Sequence, residues 1–288
     1  MKSMWRTRAR EGRGASLVAR RPSLLALLAL LALTACTVTR PIVKLGLVAP
    51  FEGQYRSIGY DVIWAVRLAV REANATGQIP GYGLELVSLD DMGDDARAAE
   101  QAAKLSADPA VIGVLGHWRA ATSQTTGTLY AEAGLAWAST GAAPDGASGR
   151  VALWDPAACL ISGPTGCIDM LGAEDTSACM QAPLARDSAD PAFAERYQAL
   201  SGGIAPSFAA VLAYDGARAL IAAMADAAED GAPTRARVAA ALPGVTLEGL
   251  TGRLAWSPAG DRVDAPRWGY TRIDAGSDWR LDAAACPP

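Results

Sequence analysis

The sequence predicts an α/β fold in which a parallel β-sheet carries helices on both faces. Three observations predict it. Between residues 42 and 139, short apolar runs alternate regularly with helical patterns. The runs are near-continuous aliphatics rather than alternating ones, as expected of strands buried on both faces. Each run ends in proline, glycine or a polar cluster that opens the next helix. Strand–helix repetition of this kind requires crossover connections and therefore parallel pairing.

The elements follow in order. "IVKLGLVAP" (Ile42 to Pro50) reads as a strand closed by proline, and "FEGQYRSIG" as a loop. "YDVIWAVRLAVREAN" reads as a helix, because Val62, Ala65, Val66, Ala69, Val70 and Ala73 recur at three- and four-residue steps. "ATGQIPGYG" stops it with glycine and proline. "LELVSLDD" is a second strand and "DDARAAEQAAKLSAD" a second helix, with acidic residues over its positive end. "AVIGVLG", "TSQTTGTLYAEAG" and "LAWAS" continue as strand, helix and strand. From 141 to 189 the pattern breaks into Gly-, Pro- and Ala-rich stretches without a βαβ unit. Beyond it, "DPAFAERYQALSG", "APSFAAVLAYDGARALIAAMADAAED" and "TRARVAAAL" read as helices, the second begun near Pro206. "GLTGRLAWSPAGDRVDAPRWGYTRID" reads as a hairpin around a Pro-Ala-Gly-Asp turn.

The first 36 residues stand apart. Lys2 and six arginines precede a short apolar run, Leu24 to Leu33, which ends in "LTAC" at Cys36. The run is too short to span a bilayer and has the form of an export signal. A cysteine directly after small residues resembles a bacterial lipobox, in which that cysteine is acylated and becomes the mature N-terminus. Removal of residues 1 to 35 leaves 19 basic and 29 acidic side chains, a formal charge of −10. That balance argues against nucleic acid and against charge-driven adsorption on anionic lipid. The remaining cysteines, Cys159, Cys167, Cys179 and Cys286, are even in number and belong to an exported chain, so disulfides are expected; three pairings are possible. No Cys-x-x-Cys is present, and with one histidine in the chain no zinc or other metal site is expected.

In open parallel sheets, ligands sit beyond the carboxyl ends of the strands, where loops enter helix N-termini. Three loops leave such ends: "PFEGQYRSIG", "GHWRAATSQ" and "STGAAPDG". Thr122 and Ser123 are placed either to cap the third helix or to offer hydroxyls to a ligand. Trp118 is either an apolar wall or a packing residue, and Arg119 a solvated cation or the partner of an anion. His117, the sole histidine, reads as a hydrogen-bonding core group. Asp90 and Asp91 are expected to hydrogen-bond their own loop, and Glu52 to be an exposed carboxylate, with pairing to an ammonium group as the alternative. Tyr55 or Phe51 can reach the cleft.

These segments, taken together, resemble the leucine/isoleucine/valine-binding-protein family, the type I periplasmic binding proteins that serve ABC importers. The match runs from "VKLGLVAPFEGQYRSIGYDVIWAVRLAVREAN" through "AVIGVLGH", "LYAEAGLAWASTGA", "GPTG" and "DPAFAERYQAL" to "LTGRLAWSPAGDR", covering most of residues 42 to 273. The resemblance implies a ligand-binding lobe from 42–143 and 184–257. It also implies a much reduced second lobe from 144–183 and 258–288, because Ala142 to Gly163 is short where the family has a βαβ core. Residues 36–41 become a lipidated tether. The four later cysteines fall in the reduced lobe and are expected to staple it.

By the family's pattern, a solute carboxylate is gripped by Ala121, Thr122 and Ser123 and by Thr140, Gly141 and Ala142, through hydroxyls and helix N-terminal amides. Phe208 lies in a family region that supplies an aromatic wall, with ordinary packing as the reading slightly preferred. An acidic residue commonly follows the family's Gly-Pro; here that place is Thr165, which has no charge to offer an ammonium group.

The resemblance implies a lipid-anchored, extracytoplasmic solute-binding protein that takes a small amino acid or amide to an ABC permease, without a cofactor. The alternative is a one-lobed accessory or sensory lipoprotein that binds a protein partner. An enzyme is not expected: Gly-x-Ser-x-Gly and His-Glu-x-x-His are absent, and no buried acid can be assigned to orient the histidine.

Overall fold

A computed structural model describes residues 40–139, 149–153, 177–180, 183–263, 266, 268–272 and 279–282. Cys36, Thr140, Gly141, Ala142, Cys159, Thr165, Cys167 and Cys286 lie outside them, as does the side chain of Cys179.

The parallel sheet is present. β1 (Ile42–Ala49), β2 (Gly83–Asp90), β3 (Val111–Leu115), β4 (Ala136–Ser139) and β5 (Arg150–Ala152) form it in the order β2-β1-β3-β4-β5. Every neighbouring pair is parallel, as in Val43↔Leu84 and Leu47↔Leu115. The helices between them are α1 (Arg56–Thr76), α2 (Asp95–Ala107) and α3 (Ala120–Glu132). β5 was not expected: it lies inside the stretch read as irregular, and three residues cannot display a period.

The pleat of β1 divides the core. Val43, Leu45, Leu47 and Ala49 join one apolar cluster with the buried stripe of α1, and Val48 joins a second with Ala102, Leu105, Tyr130 and Trp137. All six positions of the predicted α1 stripe are buried. The helix begins at Arg56, a turn earlier than its apolar pattern, and ends on Gly77 in the left-handed conformation.

The long helix α5 (Phe208–Glu229) follows α4 (Phe193–Ser201) and packs on α1, β3 and β4. It is apolar and long enough to cross a membrane, yet most of its surface is buried in this core. Its N-terminus is held from α1. Asp61, 9% exposed, accepts from Ala210 N at 2.9 Å, Ser207 N at 3.2 Å, the Tyr197 hydroxyl at 3.0 Å and the Ser207 hydroxyl. Burial nonetheless raises its pKa, outweighing these hydrogen bonds. α6 (Arg235–Ala241) sends Arg235 to the carbonyls of Leu105, Ser106, Asp108 and Val111, closing the end of α2.

The predicted hairpin is divided. Its first arm folds on itself as β7 (Leu247–Gly249) and β8 (Gly252–Leu254). The turn between them is fixed by fully buried Asp215 of α5, which accepts from Leu250 N at 2.7 Å and from Thr251 N and Oγ1 at 2.9 and 2.6 Å. The Pro-Ala-Gly-Asp turn is formed, bridged by Trp256 and Arg262, and it lies against β5, where Ala152 N donates to Gly260 O. Beyond it, β9 (Trp268–Arg272) leaves for a second, antiparallel sheet, β10-β9-β6, with β6 (Ser177–Met180) and β10 (Trp279–Leu281). Those three strands come from the two stretches assigned by resemblance to the reduced lobe. Tyr270 of β9 ties this sheet to the chain before α4: its hydroxyl accepts from Leu184 N at 2.8 Å and donates to Asp187 at 2.9 Å.

Candidate functional site

Three loops meet beyond the carboxyl ends of β1, β2 and β3. Asp90 binds the first two together, since its Oδ1 accepts from Phe51 N (2.8 Å), Glu52 N (3.3 Å) and Met92 N (2.9 Å). This is the loop-bracing role expected of it.

Asp91 turns inward. Its Oδ1 accepts from Gly93 N at 2.9 Å, and its Oδ2 lies 2.6 Å from Nδ1 of His117, which reaches it from β3 across the end of β1. Both side chains are buried. A carboxylate only accepts, so the proton belongs on Nδ1; in the neutral imidazole Nε2 then accepts from the Tyr130 hydroxyl at 2.9 Å. Burial, and then the charge of Asp91, hold the Tyr130 phenol well above its ordinary pKa. The histidine is thus the hydrogen-bonding core group the sequence predicts. The expectation that no buried acid orients it is wrong: Asp91 does. Both ring nitrogens are engaged, one by Asp91 and the other by Tyr130, so the arrangement is not that of a base aimed at a Ser or Thr nucleophile.

Gly116 begins this loop with φ of +120°, and a Cβ there would collide with Val48 O. Only glycine fits. The Trp137 indole donates to its carbonyl. Trp118 follows at 1% exposure within the α1-side cluster that also holds Ile58 and Phe208. Here it is a packing residue, and its indole N–H has no hydrogen-bond partner among the described residues. Phe208, at the first position of α5, is likewise packed.

Arg119 is not a solvated cation. It is half-buried, donates from Nη1 to Gly93 O at 2.7 Å, and lies over the Tyr55 ring at 4.5 Å. Gly93 (φ +69°) permits this approach; a Cβ would meet the Tyr55 ring at 2.8 Å and Arg119 Cδ at 3.0 Å. One side chain therefore joins all three loops.

Arg119 is also the N-cap of α3, and its side chain makes no capping hydrogen bond. Thr122 and Ser123 do not serve as caps. Thr122 Oγ1 donates to Arg119 O at 2.9 Å and Ser123 Oγ to His117 O at 3.2 Å, and both residues are fully buried. Donation to a carbonyl three residues back, as Thr122 makes, is the local alternative to capping an amide. Ala121 is exposed at the same helix start. The structure thus brings together Tyr55, Trp118, Ala121, Thr122 and Ser123, and places Phe208 in the adjoining core. The signal for the His117–Asp91 and Arg119–Gly93 contacts is not local: it requires knowing that β1 lies between β2 and β3.

A cavity of about 420 Å³ lies elsewhere, lined by residues that include Glu72, Asp190, Tyr214, Arg218, Glu248 and Leu250 and by none from these loops. Two of its acids already have partners: Arg196 pairs with Glu72 and Asp190 at 2.9 Å each, and Tyr214 hydrogen-bonds Glu72.

The family model for periplasmic binding protein matches residues 42–158 and 171–277. The chain belongs to the periplasmic binding protein family. Among solved structures, this periplasmic binding protein is similar to the branched-chain amino acid transporter substrate-binding protein LivJ from Streptococcus pneumoniae in complex with isoleucine. That match has 15% identity, covers 84% of this chain and 99% of the other, and has a TM-score of 0.68. The leucine-binding protein LivK from Thermotoga maritima matches at 15% identity, 84% and 98% coverage and a TM-score of 0.66. A solute-binding protein from R. palustris in complex with 4-hydroxybenzoate matches at 14% identity, 83% and 95% coverage and a TM-score of 0.63. At these identities the likeness is one of fold. A Leu/Ile/Val-binding protein homolog of Brucella abortus (strain 2308) is 34% identical over 93 residues, 32% of this chain. The aligned part spans about a quarter of the length of the curated relatives it matches. Membership of the family implies a place of work outside the cytoplasm.

Proposed function

We propose that the protein is a lipid-anchored solute-binding protein of an ABC importer, holding a small carboxylate-bearing solute, such as an amino acid or amide, at the loops beyond β1, β3 and β4. The observation that carries the reading is the start of α3. Its N-cap side chain makes no capping hydrogen bond, and it stands where Tyr55, Gly93 and Arg119 converge. The first-turn amides and the helix dipole favour an anion there. Tyr55, Trp118, Ala121, Thr122 and Ser123 would form one side of the site. Thr140, Gly141, Ala142, Thr165 and Phe208 would complete it by the family's pattern. Acylated Cys36 would keep the protein at the outer face of the cytoplasmic membrane, next to its permease. The similar proteins in complex with isoleucine and with 4-hydroxybenzoate support a small organic carboxylate as the class to try first.

The test is thermal melting of the mature, oxidised chain against amino acids, amides and small carboxylates. A ligand at a hundred times its Kd adds about 2.7 kcal/mol, a shift of several degrees. A saturable shift lost in the Thr122→Ala, Ser123→Ala double variant supports the reading. Metabolic labelling with palmitate, lost in Cys36→Ser, tests the anchor. Intact mass tests the proposed stapling by two disulfides among Cys159, Cys167, Cys179 and Cys286; four free thiols in exported protein would sink it.

One observation favours the alternative, an accessory lipoprotein that binds a protein partner. The hydroxyls of Thr122 and Ser123 are buried and donate to backbone carbonyls. A cooperatively melting protein with no shift across the panel would decide for it.

A further inference from the structure

We propose that the outward face of α1 is a docking surface for an anionic phospholipid bilayer and lays the protein along the membrane beside its anchor. The inference goes beyond the reading of Cys36 as an acylated anchor; one of its arguments, the reach of the tether, rests on that reading.

The face follows from the helical period. Arg56, Tyr60, Trp64, Arg67 and Arg71 recur at three- and four-residue steps, so they share the side of α1 opposite its buried stripe. The three arginines and Tyr60 are exposed, Tyr60 at 51%, and Trp64 is half-buried. Arg67 lies over the Trp64 ring at 4.9 Å, so cation and indole are presented together. α1 has two acids, and neither belongs to this face. Asp61 is buried against the start of α5, and Glu72 pairs with Arg196 of α4.

Arginines interleaved with Tyr and Trp suit a bilayer surface. The cations attract anionic headgroups, and the aromatic side chains, apolar in body and polar at the tip, partition to the interfacial layer. The formal charge of −10 on the mature chain opposes adsorption of the molecule as a whole. Salt screens exposed charges over about 8 Å at physiological ionic strength, so the local sign of a face decides what it meets.

The chain enters at the end of this helix. Arg40 is exposed, and a Cβ built on Gly77, the C-cap of α1, would meet its Nη1 at 3.8 Å. The four residues from Cys36 to Arg40 span at most about 14 Å. An acylated Cys36 therefore keeps the C-terminal end of α1 close to the headgroups, where its basic, aromatic face can lie down. Docking through α1 fixes the tilt of the parallel sheet on the membrane, and with it the direction in which the loops beyond β1 and β3 open.

The experiment is co-sedimentation of the mature chain carrying Cys36→Ser, which cannot be acylated, with vesicles. One set is phosphatidylcholine alone, the other equal parts phosphatidylcholine and phosphatidylglycerol. We expect binding to the anionic vesicles at least about tenfold tighter than to the neutral ones, weakening as salt rises. Arg67→Glu with Arg71→Glu abolishes that preference, and Tyr60→Ala with Trp64→Ala weakens anionic binding at least about threefold. Arg97→Glu with Lys104→Glu makes the same change of net charge at exposed positions of α2, across the sheet. It leaves binding within about twofold. Each comparison is made in protein that melts cooperatively. Equal binding to both vesicles, binding to neither, or an equal loss from the α2 variant would each overturn the inference. A dimer in the absence of vesicles that the α1 variants dissociate would give the face to a second copy and overturn it too. Failure of the anchor reads out separately, as absent palmitate labelling, and does not enter this assay.

Discussion

His117 Nδ1 and Asp91 Oδ2 lie 2.6 Å apart, both buried, with the end of β1 between the strands that carry them. The pair fastens the loop after β3 to the loop after β2, so the start of α3 is braced from beneath. Asp91→Ala would leave the imidazole and Gly93 N without their acceptor, at a cost of about 2–5 kcal/mol. Asp91→Asn keeps an acceptor and costs less. Tyr130→Phe removes only the outer hydrogen bond, at about 1 kcal/mol. Urea unfolding of the three variants gives this ranking directly.

Gly116 carries a second, sharper expectation. Its φ of +120° and the collision of any added Cβ with Val48 O leave no room for alanine. Gly116→Ala should lose about 3 kcal/mol or more, because β1 itself would have to move. An unchanged denaturation midpoint would show that the loop has another conformation open to it.

Asp61 is the N-terminal anchor of α5 although it belongs to α1. Asp61→Ala removes a cap and leaves the Tyr197 hydroxyl and Ala210 N with fewer partners, for about 1–3 kcal/mol. Ser207→Ala, which removes the local cap at the same helix, should cost less. Hydrogen exchange would localise the effect to the first turns of α5.

Alkaline stability tests the wall of the cavity. Burial, followed by its hydrogen bond to Glu72 and that group's charge, pushes the Tyr214 phenol up to about 12. An unfolded phenol titrates near pH 10, so the folded pKa is the higher of the two. The stabilisation is therefore complete below about pH 10 and is lost as pH rises through about 12. Tyr214→Phe should flatten the fall in urea midpoint over that window, while Tyr197 and Tyr270, whose phenols are also raised by burial, continue to contribute.

Much of this architecture is legible in the sequence because its signals are periodic. The six small and branched residues from Val62 to Ala73 mark the buried face of α1, and the aliphatic run from Ile42 marks a strand buried on both sides. Strand ends then locate the candidate loops. What the sequence does not disclose is everything that reaches across β1. His117 meets Asp91 and Arg119 meets Gly93 only because β1, first in the chain, is second in the sheet. The direction of the Thr122 and Ser123 hydroxyls is equally silent, since a cap and a back-donated hydrogen bond use the same residue types at the same places. β5 escapes notice for its brevity, and the first arm of the expected hairpin closes early because Asp215, on a different helix, grips Leu250 and Thr251.

The placement of α5 bears on how the protein is made. A chain delivered N-terminus first presents β1 and the apolar face of α1 long before the helix that covers them, since α5 contacts α1, β3 and β4 but lies far downstream. Until Phe208 to Glu229 has emerged, that greasy surface has no lasting shelter. A chain that stops before α5 should therefore leave that surface exposed and be cut more readily by added protease than the full chain.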